Sequence, residues 1–210
     1  MKKLIPSDVA FTPTVKAIQQ KLGSRAAYAR MEEGEGWETK ITPDLAGFIA
    51  DQASVFLGTA NAAGQPYIQH RGGPPGFLHV LDDKTIGFAD ARGNRQFITL
   101  GNLEENPKAH LFLIDYEHRQ RVKIWGEARV VGDDPALLDK LIAPGEESSD
   151  ARAILFTVTA WDANCPKYIP QRFEAEDVAR TLEQRDRRIA ALEGEVAGLK
   201  AKLHDAAVAG

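Results

Sequence analysis

"FLHVLDDKTIGFAD", residues 77–90, is the stretch on which the architecture turns. Two apolar runs, Phe77 to Leu81 and Thr85 to Ala89, flank Asp82, Asp83 and Lys84, the polar residue types that a tight reversal requires. The stretch therefore predicts an antiparallel hairpin. The residues before it repeat the form: "SVFLGTA" (54–60) is apolar and β-branched, "NAAGQP" supplies turn chemistry, and "YIQ" opens a partner strand. Two hairpins in succession predict antiparallel sheet.

The segments on either side extend that sheet. Phe97, Ile98, Leu100 and Leu103 suit a short helix broken at Pro107, and "AHLFLID" (109–115) reads as a buried strand. In "RVKIWGEARVV" (121–131), Val122, Ile124, Gly126, Ala128 and Val130 share one face, and a glycine in mid-strand predicts a bulge or a close backbone approach. "DDPALLDKLIAP" is a further short helix and "AILFTVTAW" (153–161) a last strand. Upstream, "TVKAIQQKLGSRAAYARMEEG", between Pro13 and Gly36, reads as one peripheral helix. A second is announced by Thr42 as N-cap, Pro43 at the first helical position, and the stripe Leu45, Phe48, Ile49. The expected fold is mainly β, an antiparallel barrel or sandwich with peripheral helices rather than a βαβ sheet.

Three segments follow: an N-terminal helical segment (1–40), the barrel (41–173) and a C-terminal amphipathic helix (174–210). In the last, Val178, Leu182, Arg185, Ile189, Leu192, Val196, Leu199 and Leu203 fall on the a and d positions of a heptad, with Arg185 the one polar member. Either a coiled coil or a single helix packed on its own barrel satisfies that pattern.

Composition excludes several function classes. The 26 Lys and Arg against 30 Asp and Glu leave a formal charge of −4, so no global field draws nucleic acid or an anionic membrane. No window approaches the roughly 18 apolar residues of a membrane span. Cys165 is the only cysteine, which excludes an internal disulfide framework, and the histidines at 70, 79, 110, 118 and 204 lack metal-ligand spacing. The expectation is a cytoplasmic, unprocessed protein with no metal. A Cys165 nucleophile has no evident His or Asp partner.

Any anion site must then be local, and "GFADARGNRQ" (87–96) is the candidate. Arg92 and Arg95 offer planar forks of donors, Gly93 permits a tight turn, and a helix starting near Asn94 or Arg95 would aim free amides at the same spot. The alternative is a polar loop tip with solvated arginines. A second loop, "QHRGGPPGF" (69–77), offers Gly72 and Gly73 for close backbone approach to a ligand and two prolines that stiffen it. His70 reads equally as a ligand or as a satisfied loop histidine.

From about residue 40 to 172 the order of these elements resembles the pyridoxamine 5'-phosphate oxidase-like family of FMN-binding split β-barrels. The resemblance is carried by "FLGTANAAGQPYIQ", "PPGFLHVLDDKTIGFADARGNRQ", "ITLGNLEENPKAHLFLID" and "RVKIWGEARVV". It implies an FMN phosphate held by Asn94, Arg95 and Gln96, where better-known members have Ser-Arg-Lys. One fixed cation stands in place of two, so Arg71 and Arg92 are the candidates for a further one. Gln69 takes the place of an arginine that begins the flavin-edge segment, and Arg121, with Lys123 on the same strand face, takes that of a flavin-contacting glutamine.

The resemblance also implies a homodimer with FMN at the interface. In "WDANCPKYIPQR" (161–172), Trp161 could wall the ring and Asn164, Lys167 and Arg172 could reach it from the second chain; equally, Trp161 is core. The implied activity is FMN-dependent oxidation or reduction of a small molecule, with NADH or NADPH as electron donor and no residue named as acid or base. The Arg-x-His signature of a true vitamin B6 oxidase is missing. Relatives that bind haem or deazaflavin share the barrel, so a non-catalytic flavin- or haem-binding protein is the alternative.

Overall fold

The computed structural model describes residues 5–34, 36–91, 93–142, 151–164 and 166–208, the Asn164 side chain excepted. It divides into two units, Met1–Asp115 with Arg119–Ile169, and Tyr116–His118 with Pro170–Gly210.

The first unit is built on one antiparallel sheet of seven strands: β1 (Ser54–Ala60), β2 (Pro66–Gly72), β3 (His79–Val80), β4 (Thr85–Asp90), β5 (Lys108–Asp115), β6 (Gln120–Val131) and β7 (Arg152–Asn164). Their order is β2-β1-β5-β6-β7-β4-β3. Both hairpins form, with Leu57 opposite Gln69 and Val80 opposite Ile86. The sheet curls so far that Arg71 of edge strand β2 reaches Asp90 of β4 past the four strands that lie between them in that order, with Nη1 2.7 Å from Oδ1. No ladder joins β2 to β4, so the barrel is closed by side chains and split along one seam. Val55, Leu57, Ile86, Phe88, Leu111, Ile124 and Phe156 fill its interior without exposure, the burial that drives the fold.

The glycine expected to mark a bulge does so. Between Trp125 and Gly126 the register against β7 shifts by one residue, and a Cβ at Gly126 would overlap the Thr157 carbonyl and the Phe156 ring. Helix α3 (Pro43–Ala50) starts as expected, with the Thr42 hydroxyl accepting from the Leu45 amide at 3.3 Å.

Upstream the single expected helix is two, α1 (Pro13–Lys21) and α2 (Arg25–Glu33). The chain reverses at Gly23, whose φ of 82° suits glycine. Trp37, just beyond, stacks on Trp125 with ring centroids 4.7 Å apart, and Phe11 packs on Trp37 at 5.1 Å. Two short helices complete the unit, α4 (Ile98–Glu105) and α5 (Pro135–Leu141).

The second unit consists of the β5–β6 turn, the strap that follows β7, and α6 (Ala175–Val208). The Arg172 guanidinium lies 4.6 Å from the centre of the Tyr116 ring, and Gln171 Nε2 donates to the Glu117 carbonyl at 2.9 Å. No residue of α6 is buried.

Candidate functional site

Helix α4 lies at the seam because two polar contacts fasten it there. Asn102 Nδ2 donates to Thr59 Oγ1 of β1 at 3.0 Å, and Thr99 Oγ1 donates to Gln69 Oε1 of β2 at 2.8 Å. Both threonines and Asn102 are buried, where a satisfied polar pair fixes geometry more than it adds stability.

The segment that leads into α4 is a tight polar turn. Asn94 Oδ1 accepts from the Gln96 amide at 3.1 Å, and Asn94 Nδ2 donates to Gln96 Oε1 at 3.2 Å. The helix begins at Ile98, three to four residues after the expected start near Asn94 or Arg95. Arg95 and Phe97 both adopt left-handed backbone, with φ of 61° and 55°, which costs non-glycine residues about 1 kcal/mol or more each. Phe97 serves as N-cap without a side-chain hydrogen bond, so the first turn of α4 carries no side-chain cap.

A concave site opens against that uncapped end. Its walls are Tyr67, Gln69 and Arg71 from alternate positions of β2, Asp90 at the end of β4, the turn 93–97, the first turn of α4 and Arg152 from the start of β7. The free volume is about 40 Å³, room for a phosphate-sized group and far too little for a flavin ring.

Three arginines, Arg71, Arg95 and Arg152, line the site together with one carboxylate, Asp90. Asp90 and Arg152 are register partners across β4 and β7. Although Arg71 Nη1 lies 2.7 Å from Asp90 Oδ1, the angle is not that of a hydrogen bond; Oδ1 and the buried Arg71 Nε have no hydrogen-bond partner. Such orphaned groups are costly unless something completes them. Burial pushes the Asp90 carboxyl above the ordinary carboxylate range, against the opposing pull of Arg71 and Arg152. Three guanidiniums against one carboxylate leave the site net cationic. With an uncapped helix N-terminus alongside, it suits an anion bearing several oxygens.

Of the expected site residues, the structure brings together Gln69, Arg71, Asn94, Arg95 and Gln96. Arg92 and the Asn164 side chain lie outside the described residues, as does Cys165. Arg121 and Lys123 are elsewhere: β6 alternates, so they share the outer sheet face with Trp125, opposite the buried Val122 and Ile124. Lys123 pairs with Asp162 at 3.4 Å. Trp161 packs against the core, and its Nε1 donates to the Lys40 carbonyl at 2.8 Å. Lys167 lies in an exposed turn over the Tyr168 ring.

Other expectations change as well. The room at Gly73 is taken by the Phe77 ring and not by a ligand, and at Gly72 a Cβ would meet the His70 ring. His70 Nε2 is satisfied by Ser54 Oγ at 3.1 Å, and its side chain points to the face opposite Arg71. The residues missed are Arg152, Asp90, Tyr67 and Thr99. Arg152 stood one position before the last expected strand, but no local pattern tells which strand pairs with β4.

Among the described residues no group of three His, Cys, Asp or Glu side chains is placed to hold a metal, and no helix is long and apolar enough to cross a membrane.

The sequence model of the pyridoxamine 5'-phosphate oxidase family matches residues 41–173, well over half of the chain and the whole of the barrel. The chain belongs to that family. No curated protein matches it. Among solved structures, HupZ of Group A Streptococcus is similar at 21% identity, covering 63% of this chain and 99% of its own, with a TM-score of 0.48. A protein from Lactobacillus delbrueckii, titled as a pyridoxamine 5'-phosphate oxidase candidate, is 22% identical over 60% of this chain and 95% of its own, with a TM-score of 0.45. An F420 reductase is 17% identical over 58% of this chain and 98% of its own, with a TM-score of 0.42. The split barrel described above is thus that of a pyridoxamine 5'-phosphate oxidase family member, with the cationic seam site among the matched residues.

Proposed function

We propose that this family member is an FMN-dependent oxidoreductase acting on a small molecule, as a cytoplasmic homodimer, with NADH or NADPH as electron donor. The observation that carries the reading is the meeting of Arg71, Arg95 and Arg152 at the uncapped start of α4, around space for one phosphate. A phosphate monoester there would supply the acceptor that Arg71 Nε lacks. It would also offset the cost of the left-handed backbone at Arg95 and Phe97, in the turn that leads into α4.

Asp90 sits against Arg71 and beside its register partner Arg152, and so helps to position both guanidiniums. Gln69 holds α4 through Thr99 and so keeps the amides in place. When bound, FMN supplies the hydride and electron chemistry. The ring system needs walls beyond the seam, for which a second copy is the proposed source. Arg121 and Lys123 are the cations on the outer face that such a copy could bring to it.

The deciding experiment is the absorption spectrum of the purified protein, followed by release of the chromophore and stopped-flow mixing with NADH and NADPH. Flavin bands that bleach with either donor are expected. A Soret band, or a colourless protein that ignores added FMN, would overturn the assignment. Bound flavin that neither donor reduces would leave a flavin-binding protein without turnover.

A further inference from the structure

Helix α6 presents an exposed apolar stripe. Leu182, Ile189, Val196 and Leu203 occupy the a positions, and Ile189 is 50% and Leu203 71% exposed. Val178, Leu192 and Leu199 take three of the d positions, again exposed. A shallow apolar groove runs between Ile189, Leu192 and Val196, rimmed by Glu193 and Lys200, the form that receives a knob from a facing helix.

We propose that α6 pairs with α6 of a second copy of this chain as a parallel, in-register two-stranded coiled coil. Charge selects both occupant and direction. In a parallel pair each g position faces the e position of the next heptad on the other strand. Arg188 then meets Glu193 of the second copy and Glu195 meets its Lys200, each contact made twice by symmetry. Among the described residues, none of these four has an ion-pair partner within its own chain, whereas Arg180–Asp177 and Arg187–Glu183 satisfy one another on the outward face.

The antiparallel pairing of greatest overlap keeps one attraction, Arg188 with Glu195, but sets Asp186 against Glu193 of the other copy, a like-charge contact that the parallel form avoids. In the parallel form the two Arg185 side chains share one d layer, and Asp186 at the adjoining e position of each strand offsets their charge. Ile189 and Val196 at a with Leu192 and Leu199 at d is the arrangement that favours two parallel strands.

The test is disulfide trapping of the full chain in a Cys165→Ser background. On mild oxidation Leu192→Cys should shift the chain to twice its mass on a non-reducing gel, while Glu183→Cys, on the outward face, should not. Adding Arg188→Glu should lower the yield of trapped dimer, and further adding Glu193→Lys should restore it, since the pair is then reversed rather than lost.

Trapping only in a mixture of Ile189→Cys and Leu192→Cys chains would show the antiparallel form and overturn the proposal. No trapping in any combination, with α6 still helical by circular dichroism, would mean another occupant and overturn it too. Flavin content reports separately on the cofactor reading: flavin kept without trapping sinks the coil alone, and trapping without flavin sinks the cofactor alone.

Discussion

Arg71 of β2 and Asp90 of β4 touch at 2.7 Å across a seam that no backbone ladder spans. Both side chains are largely buried, so the contact replaces solvent for two opposite charges at the place where the barrel would otherwise gape. Removing one partner from such a pair strands the other. Arg71→Met should therefore cost about 3 kcal/mol of stability, measured by urea denaturation, and more than the double variant Arg71→Met with Asp90→Asn. A loss in the double variant equal to the sum of the two single losses would show that the pair is not coupled.

Asp90 also sets a pH dependence. Its folded pKa is raised above the ordinary 3.8, so the folded chain binds that proton more tightly than the unfolded chain does. Its contribution to stability is full below 3.8 and is lost as pH rises through the raised value. Asp90→Asn should flatten that arm of the curve in melts across the acid range.

His110 gives the opposite sign. It lies edge-on to Trp125 at 4.9 Å, and burial, then the Lys123 charge, lower its pKa from 6.5 to about 4. The neutral ring stabilises the fold fully above pH 6.5, and that stability is lost as pH falls from 6.5 to about 4. The loss amounts to roughly 3 kcal/mol at most. Melting temperature should fall over this window, and His110→Gln should show a shallower fall.

Arg95→Ala and Arg152→Ala should each weaken FMN binding by about 2 kcal/mol, about 30-fold in Kd, as the loss of a charge-assisted phosphate contact. Riboflavin, which lacks the phosphate, is the control: its affinity should not move. Fluorescence titration measures both, and an equal loss for the two ligands would refute phosphate recognition by these residues.

Gly126→Ala should destabilise the barrel by about 3 kcal/mol, the upper range for overpacking, because backbone as well as the Phe156 ring would have to yield. Chemical denaturation measures it. A loss below a few tenths would mean that the bulge can open.

Turn chemistry, period-two alternation and helix caps act between near neighbours in the chain. For that reason the residues alone were enough for both hairpins, the Thr42 cap and the bulge at Gly126, while the family came from the resemblance of the quoted motifs. A tight turn and a helix start are local features too, and they pointed at Arg95; the roles given to Gln69, Arg71, Asn94 and Gln96 came from the family resemblance. Gly23 was legible only as a glycine in a helical pattern; packing of Phe11 and Trp37 toward Trp125 accompanies the break there.

Which cations meet at the seam was decided by closure. Arg152 stands beside Asp90 because β7 pairs with β4, and Arg71 joins them because the sheet curls through seven strands until its edge returns. Arg121 and Lys123 fall on the outer face because strand alternation relative to the filled interior, and not position in the sequence, assigns a side chain its face. Sequence by itself determined the elements and the short polar turn before α4; only the tertiary structure determined the cationic site, because contacts across a seam join residues that no local pattern relates.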